Sequence, residues 1–140
     1  MAKDSVVLSP EYVNVGRGEA AVTGGPILVG QLLSISGGLV SPATAVVAAV
    51  PRMVSVENIA VASELDYSYS DTENCFFQYL PSGVRVNLKA DAATYNAGDE
   101  LEVGASGLLA AKSAGITVAV VPPDGGEVIS AGGSLMVILV

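Results

Sequence analysis

The sequence predicts an all-β protein, a compact β-barrel or β-sandwich of short strands with at most one short helix. Three observations lead there. Valine and alanine dominate a composition holding 16 glycines and 7 prolines, so apolar runs are short and regularly punctuated by turn formers. Val84-Arg85-Val86-Asn87-Leu88-Lys89 alternates apolar and polar side chains without a break, and a period of two marks a half-buried strand. Two late runs, ITVAVV and SLMVILV, are continuously apolar and β-prone, as strands covered on both faces are. Roughly eight to ten short strands result, enough for one barrel or sandwich.

Each element follows in chain order. MAKDSVVLSPEY lacks the long apolar run and the cleavage site of a secretory signal; residues 1–10 read as an extended N-terminal arm. GRGEAAVTGG resembles a phosphate loop only superficially, because it lacks the Lys-Ser/Thr pair and Gly24-Gly25-Pro26 forbids the helix that should follow. PILVGQLLSI is a strand pair, or one strand bent at Gly30, and TAVVAAV and RMVSV continue the β pattern. Val56 to Glu73 carries Glu57, Glu64, Asp66, Asp71 and Glu73 with no basic residue, and Tyr67 and Tyr69 alternate there with serines. That segment is either a solvated loop with an edge strand or an acidic contact surface, tyrosine being enriched at interfaces.

FFQYL-PSG-VRVNL reads as a hairpin, with Pro81 setting φ at the first turn position and Gly83 supplying a positive φ. The one place suited to a brief helix is LKADAAT. In YNAGDELEVGASGLL, Glu100 and Glu102 share one strand face while Leu101 and Val103 share the other. Asn96-Ala97-Gly98 turns before that strand and Gly104-Ala105-Ser106-Gly107 after it, so the three carboxylates of Asp99, Glu100 and Glu102 belong to a hairpin rather than to a site. VPPDGGE is a turn-rich connector.

At 140 residues the chain is expected to form a single β domain over residues 1–140, with the arm at its start. Charged residues are only 14% and the mean hydropathy is +0.57, whereas about 25% charged is usual. Some apolar surface is therefore expected to be covered by copies of the chain or by a partner. The net charge of −8, with six basic residues scattered singly, excludes a nucleic-acid partner, which needs Lys and Arg gathered on one face. No charged residue falls between Ala20 and Pro51, but glycine and proline break that stretch well short of the about 20 apolar residues of a membrane span, so no membrane partner is expected.

No enzyme is expected. The sequence has no histidine, which removes His-dependent nucleophilic systems, most zinc sites and the commonest general acid–base group. In GASG the position two after Ser106 is Leu108, so the nucleophile-elbow spacing fails. The calcium-loop pattern is absent as well. No catalytic, metal or cofactor residue is assigned, and Cys75 in CFF reads as a small buried hydrophobe.

The order AVTGGPILVG, then LLSISGG, then YNAGDELEVGASGLLAAKSAGITVAVV, then a closing LMVILV resembles the head decoration, or capsid cement, proteins of tailed bacteriophages. The matching positions are Gly25, Pro26, Ile27, Leu28, Val29 and Gly30, followed by Tyr95, Gly98, Asp99, Leu101, Val103, Gly107 and Leu108. The resemblance implies a barrel-like structural virion protein, assembled in the host bacterial cytoplasm and bound to the outer surface of the capsid. Its implied partners are the major capsid protein and further copies of itself, a homotrimer first, and its implied work is to clamp capsid subunits against internal DNA pressure. Contact residues assigned on this basis are Val6, Val7 and Leu8, whose arm would add a strand to a capsid-protein edge, with Asp66, Tyr67, Tyr69, Phe76, Phe77 and Tyr79. Two alternatives stay open: another virion β-domain, such as a tail tube or fibre base, and a cellular ligand-binding β-barrel.

Overall fold

The computed structural model of the protein describes residues 6–9, 17–23, 25–43, 52–57, 67–104 and 107–140. Their first half contains β1 (Arg17–Val22), β2 (Ile27–Leu28), β3 (Leu33–Ser36), β4 (Leu39–Pro42), β5 (Arg52–Ser55), β6 (Ser68–Tyr69) and β7 (Asn74–Leu80). The second half contains β8 (Arg85–Lys89), β9 (Ala93–Tyr95), β10 (Glu100–Val103), β11 (Leu109–Ala111), β12 (Ala119–Val120), β13 (Glu127–Ile129) and β14 (Ser134–Leu139). The fold is all-β, as the punctuated apolar pattern requires, and the described strands are more numerous and shorter than expected.

Two five-stranded sheets carry the architecture, in the orders β3-β4-β1-β7-β5 and β11-β10-β12-β14-β8. Each closes on itself. In the first, Leu32 beside β3 bridges Val54 of β5 antiparallel; in the second, Ala90 after β8 bridges Leu109 of β11 in parallel. A closed ring with an odd number of strands cannot be antiparallel throughout. Each ring accordingly has one parallel contact, β1 with β4 in the first and Ala90 with Leu109 in the second. The result is two small barrels, formed one after the other along the chain.

Barrels this narrow are filled by their own side chains. Alternation along each strand, and the sharing of a face by cross-strand partners, turn Val22, Leu33, Val40, Met53, Cys75 and Phe77 into the first barrel. The same rule turns Val86, Leu88, Leu101, Leu109, Val137 and Leu139 into the second. All twelve are buried and belong to one continuous apolar cluster. Gly18, opposite Phe77 in the ladder, leaves the room that the Phe77 ring fills: a β-carbon there would lie 2.8 Å from the ring.

Gly30 ties the two barrels together. Its amide donates to the Ser55 carbonyl of β5 at 2.9 Å, and its carbonyl accepts from the Lys89 amide of β8 at 2.7 Å. Around it, the Ser55 hydroxyl donates to the Leu28 carbonyl at 2.6 Å and accepts from the Gln31 amide at 2.8 Å, while Gln31 Oε1 accepts from the Leu28 amide at 2.8 Å. These buried polar groups are thus satisfied where the chain must bend, as groups removed from water need to be.

Several sequence expectations change at this level. FFQYL and VRVNL are not a hairpin: β7 pairs with β1 and β5, and β8 with β14. Gly83 does take φ +94°, so the turn chemistry holds, but both edges of β7 are occupied and the turn delivers β8 to the other barrel. LKADAAT is not helical; Leu88 and Lys89 end β8, and Ala93–Tyr95 form β9, paired with β13. The polar face of VRVNLK is not solvated throughout, since Asn87 and Lys89 are buried. SLMVILV is fully covered on one face only, Leu135, Val137 and Leu139 being buried and Met136 and Ile138 half-buried. The hairpin of β10 and β11 forms as expected, pairing Leu101 with Ala111 and Val103 with Leu109.

Candidate interaction surface

The N-terminal residues Val6, Val7 and Leu8 lie along β8 of this same chain. The Asn87 amide donates to the Val6 carbonyl at 2.7 Å, the Leu8 amide to the Arg85 carbonyl at 2.8 Å, and the Arg85 amide to Ser9 Oγ at 3.0 Å. Val6 is fully buried and Val7 is 6% exposed. The edge of β8 left open by β14 is closed in this way by the chain's own residues 6–9. Val6 and Val7 are core residues, and their strand-forming capacity is satisfied internally.

In the tyrosine segment, Asp66 lies outside the described residues. Tyr69 is a core residue on β6, which pairs with β2, and its hydroxyl donates to the Val56 carbonyl at 2.7 Å. Tyr67 is half-buried, edge-to-face against Tyr69 with ring centroids 5.1 Å apart. Glu73 holds the following turn with both oxygens: Oε1 accepts from the Ser70 amide at 2.9 Å, and Oε2 accepts from the Tyr67 hydroxyl. That hydrogen bond, with some desolvation, raises the Tyr67 pKa above the ordinary phenol value. Thr72 in the turn has φ +70°, unusual for a β-branched residue, and its amide donates to the Val22 carbonyl at 3.0 Å. Residues 67–73 form an acidic turn whose tyrosines serve mainly to fix it.

On β7 the three aromatic side chains part company. Phe77 fills the first barrel, Phe76 is half-buried on the outer face, and Tyr79 is 38% exposed near the end of the strand. Tyr79 stands edge-to-face on Phe77, with centroids 5.8 Å apart, so an exposed phenol is held rigidly by a buried ring. Burial pushes the Cys75 thiol up to about 12, with the Glu73 carboxylate acting in the same direction. A thiol so placed stays protonated and unreactive at neutral pH.

The carboxylates of the β10 hairpin have structural partners. Asp99 accepts from the Asn96 amide at 2.9 Å and closes the preceding turn. Glu100 accepts from Thr117 Oγ1 at 3.0 Å, and Glu102 from the Gly115 amide at 2.5 Å. Among the described residues, no three His, Cys, Asp or Glu side chains gather in a way that would hold a metal ion, and no helix is long and apolar enough to cross a membrane. A shallow open cleft of about 210 Å³ runs along the β9–β13 ribbon beside Tyr95, Gly126 and Val128.

Among the exposed side chains that sequence reasoning missed are Ile35 on β3 and Leu39 on β4, which are 45% and 41% exposed. Their signal was present: SISGGLVS sits inside the uncharged stretch from Ala20 to Pro51, and a charge-free hairpin with a Gly-Gly turn is an unguarded one.

No protein-family model and no curated sequence matches the chain. Among solved structures, the chain is similar to the head fiber gp8.5 N base of bacteriophage phi29, with a TM-score of 0.60 and 12% sequence identity over 89% of this chain and 92% of that one. At that identity the likeness shows a shared fold.

Proposed function

We propose that this chain is a structural component of a phage virion, carried on the outer surface of the head and bound to the major capsid protein. The observation that carries the reading is the fold shared along nearly the whole of both chains with a phage head fiber base. The sequence resemblance to head decoration proteins, drawn from different evidence, supports the same location. The low charge content and mean hydropathy of +0.57 suit a surface that is covered in an assembly.

Two forms of the role differ in what the bound protein does. A cement protein bridges neighbouring capsid subunits, and copies acting together, as a trimer in the form the resemblance implies, hold firmly through contacts that are individually weak. A fibre base anchors a projecting fibre instead, and the head fiber neighbour favours that form. Gold-labelled antibody against the chain, imaged on purified particles, tests the shared claim: label on the head exterior is expected, and label confined to the tail overturns it. Particles lacking the chain separate the two forms. Cementing predicts DNA release at a lower temperature, while anchoring predicts equally robust heads that lack their fibres.

A further inference from the structure

We propose that the β3–β4 hairpin of the first barrel, with the barrel mouth beside it, is the surface through which copies of this chain contact one another. The inference rests on the reading of the chain as a virion assembly protein and supplies the contact that such an assembly needs.

The residues from Ser34 to Leu39 are all exposed. Gly37 and Gly38 take φ +59° and +78°, the pair of positive values of a tight two-residue turn, so the hairpin tip is sharply defined. Ile35 pairs with Val40, a barrel-filling residue, so its own side chain sits at the mouth of that barrel. Leu39 lies on the outer face. Strand directions bring the ends of β7 and β3 and the beginning of β1 to this same mouth, and place exposed Tyr79 across it from Ile35. Two of the large exposed apolar side chains, Ile35 and Tyr79, therefore lie at one end of one barrel, and Leu39 stands on the outer face of the same hairpin. Tyr79 arrives pre-ordered by its edge-to-face contact with Phe77, as a rigid interface anchor should.

Charge selects the partner. Two molecules each carrying −8 repel wherever their acidic surfaces approach. The second barrel presents Glu100, Glu102, Asp124 and Glu127, and the far side of the first presents Asp71 and Glu73. The hairpin has no charged residue at all. At the mouth, Arg17 and Arg52 begin their strands and both are engaged within the chain, Arg52 Nε donating to the Val140 carbonyl at 3.3 Å; among the described residues, Glu19 on the outer face of β1 is the acidic residue beside them. This is where a second copy of an acidic protein approaches at least electrostatic cost, and where it finds apolar surface to cover.

Sedimentation equilibrium of the full chain, without capsids, tests the proposal. The wild type should self-associate, and more tightly as salt rises from about 0.01 M to about 1 M, because screening shortens from about 30 Å to about 3 Å and the contact itself holds no ion pair. Ile35→Glu with Leu39→Glu should weaken association at least about ten-fold, a loss of about 1.4 kcal/mol. Val128→Glu, at a 75% exposed valine on β13, should leave it unchanged. Circular dichroism shows whether each variant is folded. A second arm avoids disturbing the apolar patch: Ser36→Cys treated with a short bismaleimide should give cross-linked dimers, and Thr94→Cys should not, Cys75 being buried and silent. A wild type that stays monomeric at every concentration and salt overturns the proposal, as does equal cross-linking at both cysteines or undiminished association of the double variant. Because capsids are absent, these outcomes are independent of whether the chain binds heads.

Discussion

Gly30→Ala should be among the most damaging small substitutions in this protein, and its cost can be worked out from two separate effects. Gly30 has φ +83°, where an L side chain costs about 1–2 kcal/mol. A β-carbon there would also lie 2.9 Å from the Asn87 carbonyl oxygen, and backbone cannot swing aside as a flexible side chain can. Relieving that overlap lengthens the hydrogen bonds by which Gly30 joins β5 to β8, now 2.9 and 2.7 Å. A buried polar group left unsatisfied costs about 1–3 kcal/mol, so the total is roughly 2–5 kcal/mol. Gly98→Ala is the matched control: φ is +87° and open space surrounds the new methyl, leaving only the conformational part, about 1–2 kcal/mol. Urea unfolding of both variants isolates the difference, read as a larger fall in midpoint at an unchanged slope. Equal losses would refute the assignment of Gly30 as the tie between the barrels.

Three further outcomes are expected. Tyr69→Phe removes the hydroxyl that satisfies the buried Val56 carbonyl and should cost about 1–3 kcal/mol; a melting temperature within error of wild type would contradict this. Removing residues 1–9 should destabilise the fold itself, because fully burying Val6 alone is worth about 1.5–3 kcal/mol and β8 loses its edge partner; an unchanged melting curve would return the segment to the role of a free arm. Stability should fall above about pH 9: the folded Cys75 thiol is pushed up to about 12 from 9.0, and Tyr67 and Tyr95 are also raised, so the unfolded chain loses these protons first. Stability that is flat from pH 8 to 11 would argue against that burial, as would rapid thiol labelling of the folded protein at pH 8.

Local patterns in the sequence located strands and turns well and chose their partners poorly, for a physical reason. Val86 and Leu88 alternate with Asn87 and Lys89, and that alternation correctly aims the apolar pair into a barrel. Nothing in it reports that the polar pair will be buried too. Pro81 and Gly83 correctly signalled a turn; a turn reverses the chain but does not select a neighbour, and β7 was already flanked by β1 and β5. The β10–β11 hairpin was legible because its pairing is local. The contact residues suffered from the same limit. Val6, Val7, Tyr69 and Phe77 are β-prone and apolar, properties that suit a core as well as an interface, and long-range pairing made them core. Ile35 and Leu39 were passed over because the uncharged stretch holding them was weighed only against a membrane span.

The measurement closest to the central claim is co-sedimentation of the purified chain with expanded and with unexpanded empty phage heads. The chain should pellet with heads at a fixed number of copies per particle and stay in the supernatant without them. A chain that remains in the supernatant in the presence of both kinds of head would contradict that claim.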